Sequence, residues 1–224
     1  MHLPGAVHDH HGPGRGEHRQ DVQRVLIVVL AGLAGLLASP LLRREIRRYG
    51  VPGPRLGSVE ALAAASLALV ALVLRGWPLL AVGWLVLIGV ALVFVDLAVQ
   101  RLPNRLTAAA VVGVLVLLAA AGDWRRLGWA VVCGLAACAC YFVLAFASPA
   151  GLGMGDVKLA GSLGLTLGWW GGIVTMLGIA AGFFINGIVG VALLALRKVG
   201  RTDQLPHGPA MLLGALCAIV LFGG

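Results

Sequence analysis

The chain has 224 residues; 60% are Ala, Val, Ile, Leu, Met, Phe, Trp, Tyr or Cys, and only 12% are charged. Soluble domains carry roughly 25% charged residues, so a water-soluble globular fold is excluded, because too few charges remain to cover its surface. The same balance excludes disorder over most of the length. A mean hydropathy of +0.97 points to an all-α, polytopic membrane protein, and the net charge of +8 reads as topological rather than as a nucleic-acid signal.

Residues 1–21 form a tail rich in Gly, Pro, Arg and His, holding His2, His8, His10, His11 and His18. Such a composition predicts a disordered, solvated segment; adventitious metal binding is the other reading. The first apolar span covers 22–42. Pro40 stands where a signal peptide would be cut, and Arg43, Arg44, Arg47 and Arg48 follow like a stop-transfer signal, so a retained helix is expected. A basic loop over 43–57 is broken by Pro52, Gly53 and Pro54. Further spans follow at 59–75, 78–99, 105–121, 127–147, 158–169, 171–196 and 208–223, about eight helices in all. The sixth, with twelve residues, covers only about 18 Å, less than a roughly 30 Å hydrocarbon core.

Eight spans place both termini on one side. The loops 43–57, 100–106, 148–158 and 196–207 carry eleven basic residues against six on the other side. The positive-inside rule puts these loops in the cytoplasm and both termini outside. No soluble domain is expected, so the chemistry sits in the membrane or at its edge. Cys133, Cys138, Cys140 and Cys217 form no CxxC pair and lie in apolar runs. They read as small buried packing residues, not as a disulfide or zinc framework.

Nine acidic residues are few enough to place one by one. Asp9, Glu17 and Asp21 lie in the tail; Glu45, Asp123 and Asp203 lie in basic loops. Glu60 opens the second helix, where the dipole favours an anion, so a capping role is expected. Asp96 stands inside ALVFVDLAVQ and Asp156 inside SPAGLGMGDVKLAG. Both fall at the same cytoplasmic level, where a carboxyl needs water, a partner or a function. Close carboxylates do not both ionise readily, so a pair holds one proton. One member can then take a proton from water while the other donates to a carbonyl oxygen. No GxSxG or HExxH is present, and His207 is the only histidine beyond the tail. Gly151, Gly153 and Gly155 alternate before Asp156; an extended substrate can pair with such a backbone. The structural alternative is an interhelical turn with a capping Asp.

At these residues the chain resembles the type IV prepilin peptidases, membrane aspartic proteases of the GxGD class. Asp96-Leu97-Ala98-Val99-Gln100-Arg101-Leu102-Pro103-Asn104 matches the first signature and Gly153-Met154-Gly155-Asp156-Val157-Lys158 matches GxGDxK. Pro206-His207-Gly208-Pro209 matches a Pro-aromatic-Gly-Pro turn, with His in the aromatic position. The resemblance covers residues 78–224 and implies a six-helix peptidase core, preceded by two N-terminal helices over 22–77. It implies that Asp96 and Asp156 are catalytic. Gly153, Gly155, Lys158, Pro103, Asn104, Pro206, Gly208 and Pro209 would line the substrate or active-site loops. Lys158 would position substrate or tune Asp156; a lysine snorkelling to the interface is the other reading. The implied substrates are prepilins or pseudopilins, cut on the cytoplasmic side just before a hydrophobic helix, with the bilayer as the other partner. No metal or other cofactor is implied for the protease site. Many family members carry two zinc-binding CxxC pairs between the first two helices, tied to N-methylation. Residues 43–57 have no cysteine, so a peptidase without S-adenosylmethionine use is expected. Two alternatives remain: a GxGD protease that cuts within transmembrane helices, and a small transporter or assembly factor with Asp96 and Asp156 as an ion relay.

Overall fold

The computed structural model describes residues 15–51, 53–147, 152–200 and 205–224. The His-rich stretch up to residue 14, Pro52, residues 148–151 and Arg201 to Gln204 lie outside the described residues. Eight α-helices are present among those described: α1 (Arg15–Arg47), α2 (Ser58–Val73), α3 (Gly76–Val99), α4 (Asn104–Ala120), α5 (Trp124–Ala147), α6 (Met154–Leu167), α7 (Gly172–Ala195) and α8 (Gly208–Phe222). Four are long and apolar enough to cross a membrane: the stretch Arg19–Arg47 of α1, then α3, α5 and α7. The fold is an all-helical membrane bundle.

Hydropathy located the apolar part of each helix but not its polar flanks. α1 starts at Arg15 and ends at Arg47, beyond the expected 22–42, so residues 15–21 are helical rather than part of a disordered tail. The flanking Arg, Glu and Gln are good helix formers. Pro40 lies inside α1, where it removes one backbone bond. α6 starts four residues earlier than expected and ends at Leu167. Its polar first turn, with Asp156 and Lys158, hides it from a hydropathy reading. Two cysteines also depart from expectation. Cys133 is buried, but Cys140 and Cys217 are exposed on the outward-facing surface.

Small residues let the helices approach closely. A Cβ on Gly35 of α1 would lie 2.7 Å from the Ala63 carbonyl carbon of α2. One on Gly164 of α6 would lie 2.7 Å from the Cys133 oxygen of α5. In α8, Gly214 abuts the backbone of Gly178 and Gly182 in α7. Such backbone contacts replace the hydrophobic driving force that is absent between helices in lipid. The Trp84 indole of α3 lies over Gly113 of α4 and donates to the Ala109 oxygen at 2.8 Å. α6 is the most enclosed helix, with nine of its fourteen residues buried. A short helix at the centre of the bundle exposes little backbone to lipid.

The elements gather at two ends. At one end, Arg43 of α1 binds Glu60 of α2 (2.6 Å) and donates to the carbonyls of Pro54 and Arg55 (2.9 and 3.0 Å). Glu60 is therefore an ion-pair partner and not only a helix-start anion. Tyr49 shares a cavity there with Arg101 and Arg105. The start of α6 and the start of α8 close on the loop after α3. At the opposite end Trp170 donates to the Gly223 oxygen at 3.0 Å, and Arg126 lies over the Trp169 ring at 5.9 Å.

Candidate active site

Asp96 sits in the last turn of α3 and is only 4% exposed. Gln100, with φ 49, ends the helix in the left-handed region. The chain then passes through Arg101 and Leu102 to Pro103, whose φ of −64 leads into α4. Leu102 is buried and wedges between two glycines. A Cβ on Gly155 would lie 2.7 Å from the Leu102 Cβ, and one on Gly208 3.3 Å from its Cδ2. Glycine is required at both places by close approach. Gly153 is different: a Cβ there would meet the Asp156 carboxylate at 3.6 Å and the Gly155 nitrogen at 3.8 Å, both ordinary contacts.

Asp156 lies in the first turn of α6 and is half-buried. Its Oδ2 accepts the Gly153 N–H at 2.9 Å. That is half of a capping box, since glycine has no side chain to complete it. The capping Asp offered as the structural alternative is present, and little of the Gly-x-Gly backbone is open for an extended substrate to pair with. Gly153 is extended (φ −90, ψ 159), but Gly155 is already helical. The Asp96 Oδ2 accepts the Gly208 N–H at 3.0 Å. Each carboxyl thus takes an N–H that α6 or α8 leaves unpaired at its N-terminus, where the dipole of that helix favours negative charge; for Asp96 this offsets the opposite end of its own helix, α3. The two carboxyls interact electrostatically. Among the described residues, neither Oδ1 carries a hydrogen bond, so each carboxyl keeps an oxygen for water or substrate.

Three rings flank the pair. His207, 5% exposed, is joined to the fully buried Tyr141 by a hydrogen bond between its Nε2 and the phenol oxygen (3.3 Å). Phe183 packs against both. His207 precedes α8, and burial pushes its imidazole below its usual range, opposed by the Asp156 carboxylate. Tyr141 and Phe183 did not emerge from the sequence reading. The one signal was a hydroxyl-bearing ring within the apolar run of α5.

The remaining expected residues divide. Gly155, Gly208 and the Leu102-Pro103 turn are brought to the carboxyls. Lys158 is not: two residues after Asp156, it lies about 200° round the helix and donates to the Asn104 Oδ1 at 2.6 Å. Both partners are exposed. Pro206 is half-buried beside His207, and Pro209 fills the first turn of α8, where a missing N–H costs nothing. Val95, Leu102, Arg101 and Arg105 line an open cavity of about 820 Å³ beside the site.

Residues 79–195 match the profile of the type IV leader peptidase family. The chain is 32% identical over 168 residues to a prepilin leader peptidase/N-methyltransferase of Aeromonas salmonicida, covering 72% of this chain and 56% of that protein. It is 34% identical over 169 residues to the protein of that name from Aeromonas hydrophila, covering 72% and 57%. The chain thus spans little more than half the length of these curated relatives. No solved structure matches it significantly. With the matched region spanning α3 to α7, and both Asp96 and Asp156 inside it, the chain belongs to the type IV leader peptidase family.

Proposed function

We propose that the protein is an aspartic endopeptidase that removes the basic leader from type IV prepilins or pseudopilins at the cytoplasmic membrane face. The observation that carries this reading is that Asp96 and Asp156, sixty residues apart in sequence, are close enough to interact electrostatically, with Leu102 packed against the glycine beside each and each carboxyl held through one oxygen by a backbone N–H. One carboxylate takes a proton from a water molecule, which attacks the scissile carbonyl carbon. The other carboxyl, protonated, donates to the carbonyl oxygen to give a gem-diol; as the C–N bond breaks, the first passes the proton it took from water to the departing amine and the second recovers its own from the diol. The N–H groups of Gly153 and Gly208 hold the carboxyls in place while protons move. Neither a metal nor a covalent intermediate takes part.

Residues 78–224 form the peptidase unit, and α1 with α2 forms an N-terminal hairpin over 22–77. The hairpin is joined by 43–57, which has no cysteine. The two relatives are named for both leader cleavage and N-methylation; for this chain we assign cleavage alone. Cytoplasmic placement rests on the eleven basic residues of the loops at the carboxyl end.

Co-expression with a candidate prepilin, read by leader loss on a gel, tests the assignment. Asp96→Asn and Asp156→Asn should each stop processing while membrane insertion persists. Full processing by either variant sinks the pair. Mass spectrometry of the mature pilin should show an unmethylated N-terminus; a methylated product from this enzyme alone overturns the cleavage-only assignment.

A further inference from the structure

Three rings from separate parts of the chain meet beside the carboxyls: Tyr141 of α5, Phe183 of α7 and His207 before α8. Their centroids lie 5.2 Å (Tyr141–Phe183), 4.9 Å (Phe183–His207) and 5.9 Å (Tyr141–His207) apart. A buried imidazole and a buried phenol each cost free energy without a partner, and here they supply one to each other at 3.3 Å. The ring nitrogen and the phenol oxygen are not bonded to Asp96. The next residue is: Gly208 donates its N–H to the Asp96 Oδ2 at 3.0 Å.

We propose that the Tyr141–His207 pair is a positioning device for Asp96, a reading that rests on the assignment of Asp96 as a catalytic residue. The rings clamp the 206–208 turn between α5 and α7, and the turn aims the Gly208 amide at the carboxyl. A shift of about 0.5 Å in that amide stretches the bond beyond a useful length. The Asp96 carboxyl then rotates away from the geometry that proton transfer needs. The pair also accounts for a histidine where the resembling signature carries an aromatic residue. The imidazole keeps the stacking surface, and the Tyr141 hydroxyl satisfies its nitrogen.

The test uses the full-length protein in lipid nanodiscs with a purified prepilin, measuring kcat and KM. Tyr141→Phe keeps the ring but strands the imidazole nitrogen; kcat should fall about tenfold with KM within about twofold. His207→Phe strands the phenol instead and should lose a similar factor. The double variant leaves an apolar cluster with nothing unsatisfied, and its kcat should return to within about threefold of the parent. A merely additive double variant, or Tyr141→Phe with less than a threefold loss, overturns the proposal. Should either single variant fail to accumulate, the double variant decides by the same threefold limit. Asp96→Asn in the same assay separates the two readings. If it is inert while Tyr141→Phe retains the parent's kcat, only the positioning role is lost; if it is active, the catalytic assignment itself falls.

Discussion

Replacing Gly208 by Ala tests the active-site geometry at one atom. The added Cβ would lie 2.8 Å from the Asp96 Oδ2 and 3.3 Å from the Leu102 Cδ2. Carbon and carboxylate oxygen need about 3.3 Å, and sub-contact distances in a packed interior are relieved only by displacement. The carboxyl, 4% exposed, must therefore move by about half an ångström, and its bond to the Gly208 N–H is lost. A hydrogen bond to a charged group is worth about 1.5–3 kcal/mol. If that loss falls on the transition state, kcat drops by roughly ten- to a hundredfold. The backbone at Gly208 is not in the left-handed region, and Ala favours a helix, so α8 should form normally. Gly153→Ala is the matched control, because its Cβ would stand at an ordinary 3.6 Å from the Asp156 Oδ2; less than about a threefold loss is expected. Initial rates of prepilin cleavage by both variants in nanodiscs give the comparison. Parental kcat in Gly208→Ala, or a larger loss in Gly153→Ala, would refute the reasoning.

Three further outcomes follow from the packing. Gly214→Val forces α8 away from the Gly178 and Gly182 backbone of α7; overpacking of this kind costs about 1–3 kcal/mol, to be read as a lower thermal midpoint in detergent. Arg43→Ala releases the Pro54 and Arg55 carbonyls and the Glu60 carboxylate together, so limited proteolysis should cut the α1–α2 loop faster than in the parent. Lys158→Gln should change processing by less than about fivefold, the range for an exposed contact; complete loss, as expected for Asp156→Asn, would show that Lys158 serves the carboxyl after all.

Much of this was legible in the residues. The eight helices follow from apolar runs separated by Pro, Gly and basic clusters. Asp96 and Asp156 stood out because the other seven acids had ordinary places. Helix ends are less legible in the sequence. Arg15 to Asp21 are helical although polar, because propensity and hydropathy measure different things. The first turn of α6 was invisible because Asp156 and Lys158 interrupt its apolar pattern. Glu60 read as a helix-start anion because Arg43 is seventeen residues away in sequence and adjacent only in space.

The site divides in the same manner. The glycine alternation before Asp156 and the family resemblance name Gly155, and the resemblance alone names Gly208, but neither says why each is glycine. Leu102 decides that: its side chain and backbone occupy the volume a Cβ would take at Gly155, and with Asp96 it does the same at Gly208. Lys158 shares a hexapeptide with Asp156 yet points elsewhere, because 3.6 residues per turn separates neighbours two apart onto opposite faces.

By itself the sequence determined that this is a charge-poor helical membrane protein in which two acids stand apart from the other seven. Composition and topology depend only on what each residue costs in lipid, and that is a local property. Tertiary structure decided which groups hold those acids. The Gly208 amide is 112 residues from Asp96, and Tyr141 is 66 from His207. Such pairings arise from helix packing at backbone contact, which no local pattern encodes.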